Sequence, residues 1–82
     1  FIKKFSPHNY HILFMEILEK VRKRIRSLRL EKEYTQDYVG DRLGISQKSY
    51  HRLENGKSQL KVKTLLKLST ILEVDITYFL KL

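Results

Sequence analysis

Apolar residues recur through the first third of the chain at Tyr10, Phe14, Ile17, Val21, Ile25 and Leu28. Steps of three and four put them on one face of a helix. Ser6-Pro7 offers a start for it, Ser at the N-cap and Pro at the first helical position, and the pattern runs to about Glu31. Glu31 to Tyr34 form a polar connection, and Thr35 is the N-cap of a second helix. Val39 and Leu43 face inward there, and Asp37 suits the positive end of the helix dipole. Gly40 sits mid-helix, where it costs ~1 kcal/mol against Ala, and this predicts a close approach by the next helix. Gly44 supplies the turn, since positive φ is free only for glycine. Ser46 then caps a third helix, with Ile45 and Tyr50 as a hydrophobic staple. Tyr50 and Leu53 are its inward pair, and Gly56 ends it.

Ser58 to Lys63 read as a basic loop into a fourth helix, whose core face is Leu65, Leu68 and Leu72, widened by Leu66 and Ile71. Glu73 stands where a glycine would end that helix more comfortably. Asp75 caps a last short helix, and Val74 is placed to staple onto Phe79. Leu80 and Leu82 extend the apolar pattern to the chain end, as core or as a dimer patch. The period is helical throughout, which predicts an all-α bundle of about five short helices.

The 82 residues make one small domain. Lys and Arg number 17 against 9 acids, a net charge of +8. That surplus favours a polyanionic partner, nucleic acid or an anionic membrane surface. Lys20, Arg22, Lys23, Arg24, Arg26 and Arg29 crowd the first helix, giving a basic amphipathic segment that suits a membrane or the flank of a DNA backbone. Three further helices with matching apolar faces favour a core role for its stripe, and so argue against a membrane. No apolar run approaches the ~18 residues of a membrane span; Ile12 to Met15 is cut by Glu16. The chain has no cysteine, so disulfides and thiolate metal sites are excluded. Absence of cysteine and of a signal peptide fits the cytoplasm. His8 and His11 share a helix face without a third ligand nearby, and no metal is expected. No nucleophile–base–acid set or glycine-rich phosphate loop appears, so the expectation is no enzyme, no cofactor and no small-molecule substrate. Met15 is the only methionine, and residues 1–14 are expected to be an extension, non-native or continuing the first helix, with the domain at 15–82.

Thr35 to Lys57 carry the functional signal: two short helices about a tight turn, the second with Gln47, Lys48, His51 and Arg52 opposite its apolar side. That layout offers the second helix to a DNA groove. There Gln47 can pair bidentately with adenine, and Arg52 or Lys48 with guanine, each good pair discriminating by ~1–3 kcal/mol. His51 projects beside Arg52, toward a base or a phosphate. Lys61 and Lys63 lie near the start of the fourth helix, where the dipole disfavours cations; phosphate contact gives them a reason.

The stretches IRSLR, TQDYVGDRLGISQKSYHRLENGK and TLLKLSTILEVDITYFL, in this order, resemble the lambda-repressor-like, or Cro/Xre-type, helix-turn-helix family from Ile25 to Leu80. The resemblance implies a five-helix DNA-binding domain that binds double-stranded operator DNA as a homodimer and regulates transcription, as a repressor-type regulator that joins the nucleoid when bound. It implies base reading by Gln47, Lys48 and Arg52. Gln36 would touch the DNA backbone and brace the third helix, Asn55 and Lys57 would contact phosphates, and Ser46 would cap. Gly40 stands where the family usually has alanine, Glu73 where glycine is common, and Lys61 where a cap or proline is usual. The alternative is a protein-interaction module, the antitoxin or co-regulator of a two-component complex, for which the apolar ends, 1–14 and 79–82, would supply the protein partner's surface.

Overall fold

The computed structural model describes residues 7–81, with side chains from residue 9 onward. Its helices are α1 (Pro7–Glu31), α2 (Gln36–Leu43), α3 (Gln47–Glu54) and α4 (Val62–Ile71), followed by a 3₁₀ turn, Ile76–Leu80. No strand forms among the described residues. The architecture is the all-α bundle that the 3.6 period predicts, with the last expected helix realised as the tighter 3₁₀ form. Ser6, Phe1 and Leu82 lie outside the described residues.

Nine side chains make the core: Val21, Ile25, Leu28, Val39, Tyr50, Leu65, Leu68, Leu72 and Phe79. They come from all four helices and the 3₁₀ turn, because each element has one apolar face and only a shared centre removes all five from water. Two expectations need correction. Tyr10 and Phe14, on the predicted core face of α1, are 54% and 57% exposed. α1 outruns the bundle: 25 residues span roughly 37 Å at ~1.5 Å each, against bundle cross-axes of 23 and 19 Å. Its first turns therefore reach beyond the buried core. Leu66, expected to widen the face of α4, is 49% exposed, since it lies off the i,i+3 row of the buried Leu65 and Leu68. Leu80, expected as core or as a dimer patch, is 48% exposed. Phe14 and Leu80 meet Ile17, Leu18, Val62 and Leu65 around an open apolar groove of about 220 Å³. Among the described residues no helix is long and apolar enough to cross a membrane.

The helices end in the same way, with one residue in the left-handed region and a paired hydrogen bond back into the last turn. After α2, Gly44 (φ 81) and Ile45 donate to the carbonyls of Asp41 and Gly40 at 3.0 and 2.9 Å. After α3, Gly56 (φ 77) and Lys57 donate to Leu53 and Arg52 at 3.4 and 2.8 Å. After α1 and α4 the same position is held by Glu33 (φ 60) and Glu73 (φ 58). A side chain there is strained by ~1–2 kcal/mol, as expected for Glu73; the strain at Glu33 had no warning in a polar connection of ordinary composition.

Candidate nucleic-acid interface

α2, the Gly44 turn and α3 form the helix-turn-helix, and Gly40 sets how closely its helices meet. A Cβ at this glycine would lie 3.2 Å from the carbonyl oxygens of Ile45 and Ser46 and 3.3 Å from Tyr50 Cβ. The start of α3 is fixed by Ser46, whose Oγ accepts the Ser49 N–H at 3.1 Å and whose hydroxyl pairs with Ser49 Oγ at 3.0 Å. The Gly56 turn fixes its end. A helix of only eight residues is marginal alone, so these terminal bonds and its buried face hold it in place.

The buried face is anchored by polar chemistry. Glu54 is 7% exposed and lies beside the buried Tyr50. Arg29, also 7% exposed, donates to it through Nε at 2.8 Å and Nη2 at 3.0 Å, a bidentate pair tying α1 to α3. Tyr50 donates to Glu54 Oε2 at 2.5 Å and Gln36 Nε2 to Oε1 at 3.3 Å. Arg29 also reaches the Tyr34 carbonyl at 2.9 Å. Burial alone would raise the Glu54 carboxyl, but the hydrogen bonds from Arg29, Tyr50 and Gln36 together hold it below the usual carboxylate range. The same bond to Glu54 raises Arg29, and burial, then the Glu54 contact, pushes the Tyr50 hydroxyl well above its ordinary value.

This network corrects one expectation and adds what the sequence pattern did not show. Arg29 is a buried cross-link rather than part of a basic surface. Tyr50 and Glu54, one turn apart on the buried side of α3, complete it, and the only sequence signal for them is that i,i+4 spacing.

On the opposite side of α3, Gln47, Lys48, His51, Arg52 and Asn55 are all exposed. Gln47, His51 and Asn55 follow at i,i+4 along one line, and Lys48 and Arg52 along the next. Gln36 joins the first line across the turn: its Oε1 lies 3.1 Å from His51 Nδ1 while its Nε2 holds Glu54. Asn55 Nδ2 lies 3.2 Å from each His51 ring nitrogen and donates to the His51 carbonyl at 2.9 Å. Arg52 Nη2 donates to the Lys57 carbonyl at 3.0 Å, so its guanidinium rests against the loop. Gln47 and Lys48 project freely among the described residues. Lys61 caps α4 with no side-chain bond and shares a cleft with Arg52, Ser49 and Gln59. Lys63 lies apart from them, beside Leu43, Ile45 and Lys67. The structure thus gathers Gln36, Gln47, His51 and Asn55 on one line, with Lys48, Arg52, Lys57 and Lys61 next to it. Among the described residues no group of three or more His, Asp or Glu side chains could hold a metal ion, and the His8 side chain lies outside them.

A two-helix unit with a rigid second helix, polar outside and buried inside, defines a helix-turn-helix domain. Residues 25–79 match the helix-turn-helix family, more than half of the chain. The chain belongs to this family, in its Cro/Xre-type, lambda-repressor-like form. It is 41% identical over 58 residues to an SPbeta prophage-derived uncharacterized HTH-type transcriptional regulator, YonR, of Bacillus subtilis (strain 168), across 71% of this chain and 54% of that protein. It is 38% identical over 69 residues to an uncharacterized HTH-type transcriptional regulator of the same organism, YqaE, across 84% of this chain and 53% of the relative. The chain spans about half the length of the curated relatives it matches. No solved structure matches it significantly.

Proposed function

We propose that the domain is a sequence-specific reader of double-stranded DNA that lays α3 in the major groove, within a transcriptional regulator of repressor type. The observation that carries this reading is the outward face of α3, a set of exposed hydrogen-bonding side chains on a helix locked at both ends and along its buried side. Base discrimination requires that rigidity, because a bidentate contact is lost with small displacements. Two relatives named as HTH-type transcriptional regulators support the regulatory role.

Gln47 serves adenine, Lys48 and Arg52 guanine, and His51 the neighbouring base or phosphate. Both ends of the Gln36 side chain are engaged with α3, so its contact to phosphate is through its backbone N–H in the first turn of α2, where amides point at an anion. Ser46 positions α3 through its cap, and Asn55, Lys57, Lys61 and Lys63 supply contacts to the backbone, which orient without reading sequence.

A homodimer on a two-fold related operator, with α3 helices ~34 Å apart, is part of the proposal. The apolar groove at Phe14, Val62 and Leu80 favours it, since an exposed apolar surface favours association; the same groove favours the second reading, in which a partner protein is bound. Residues 1–14 are then an extension, of which Phe14 contributes to that surface. The test is selection of bound duplexes from a random pool, followed by Gln47→Ala and Arg52→Ala. Each substitution should weaken the selected duplex by ~1–3 kcal/mol with helicity intact. Unchanged DNA binding in both variants would favour the protein-interaction reading.

A further inference from the structure

Six cations lie on α1 between Lys20 and Arg29, and the structure divides them. Arg22 donates to the carbonyls of Leu53 and, at 3.1 Å, Ser58, fastening α1 to the end of α3. Arg24 donates to Phe79, at 3.1 Å, and to Lys81, fastening the C-terminal turn. Arg29 is consumed by Glu54. Lys20, Lys23 and Arg26 are left without an ion pair or side-chain hydrogen bond among the described residues.

Lys23 and Arg26 are i,i+3 neighbours on one side of α1. They line an open cleft of about 220 Å³ with Glu19, Arg22, Glu54 and Asn55. Glu54 is already matched by Arg29, and Glu19, one turn before Lys23, makes no ion pair with it. Arg22, Lys23 and Arg26 outnumber Glu19 there, so the cleft carries a net positive charge. It opens beside Asn55, at the end of the Gln47–His51–Asn55 line.

We infer that this cleft takes a backbone phosphate of the DNA flanking the bases faced by α3, so that Lys23 and Arg26 extend the footprint beyond the helix-turn-helix. The inference rests on the DNA-binding reading above. Contacts of this kind hold register without reading sequence, and their mark is counterion release, a steeper fall of affinity with salt.

The test uses the full chain and the double variant Lys23→Gln/Arg26→Gln, with binding to the selected duplex and to an unrelated duplex followed across a salt series. The slope of log affinity against log salt should fall by about 0.9 for each phosphate contact removed. Affinity should drop by the same factor on both duplexes. Shortening the duplex ends should weaken wild type more than the variant. An unchanged slope with an equal response to shortening overturns this inference alone; failure of wild type to bind any duplex overturns the DNA-binding reading and this inference with it. Inorganic phosphate that shifts Lys23 and Arg26 resonances while the salt slope stays unchanged would assign the cleft to a free anion, and so also overturn it. Circular dichroism checks the fold, and if the double variant unfolds, the single Lys23→Gln and Arg26→Gln variants carry the same expectation singly.

Discussion

Replacing Glu54 with Ala removes the shared acceptor of Arg29, Tyr50 and Gln36. It leaves a guanidinium that is 7% exposed without its carboxylate, and a phenol that is 1% exposed without its acceptor. Removing one member of a buried ion pair costs ~3–5 kcal/mol, because the other charge stays out of water uncompensated. Chains of this size have roughly 4–12 kcal/mol of total stability, so the variant should lose about a quarter of it or more. Urea denaturation at neutral pH, followed by circular dichroism, is the assay. At ~1–3 kcal/mol per molar urea, the midpoint should fall by at least about 1 M. Replacing both partners by apolar residues, Arg29→Met with Glu54→Leu, removes the stranded charge and should restore most of the loss. A Glu54→Ala variant that loses less than ~1 kcal/mol, the worth of an exposed ion pair, would refute the claim that this network anchors α3. So would a double variant as unstable as the single one.

Glu33→Gly should raise stability by about 1 kcal/mol by relieving the left-handed backbone at φ 60, a gain of ~4–8 °C in thermal midpoint. Glu73→Gly should gain somewhat less, because it gives up the exposed 3.9 Å pair with Lys32; thermal scans of both variants check this. Gly40→Leu should destabilise by ~1–3 kcal/mol, since its Cβ alone already meets two carbonyl oxygens at 3.2 Å; urea midpoints will show whether the neighbours yield. The depressed Glu54 carboxyl contributes stability that is full above the ordinary carboxylate range and lost as pH falls through its lower folded value. The raised Tyr50 contributes stability that is full below the ordinary phenol range, about pH 10, and lost as pH rises beyond it. Unfolding free energy against pH should therefore be flat between those limits and fall on both sides, and the Arg29→Met/Glu54→Leu variant should show a weaker acid limb.

Local chemistry was legible in the sequence wherever it acts within a few residues. The caps at Thr35, Ser46 and Asp75 accept the N–H groups of Tyr38, Ser49 and Thr77, as their types and spacing predict. The turns at Gly44 and Gly56 have the positive φ that only glycine adopts without strain. Four helices, their order and the outward face of α3 follow from period and punctuation, since each is decided by neighbours along the chain.

What only the tertiary structure decided depends on partners distant in sequence. Tyr10 and Phe14 continue the apolar line of Val21 and Ile25 without a break, yet they are exposed because α1 is longer than the bundle it crosses. The six cations of α1 look alike in sequence. Their separation into a buried pair, two backbone fasteners and free charges was set by carbonyls and a carboxylate 25 to 57 residues away. Periodicity states which way a side chain faces; whether anything waits there, and whether it is a core, a carbonyl or open water, is fixed only when the helices meet.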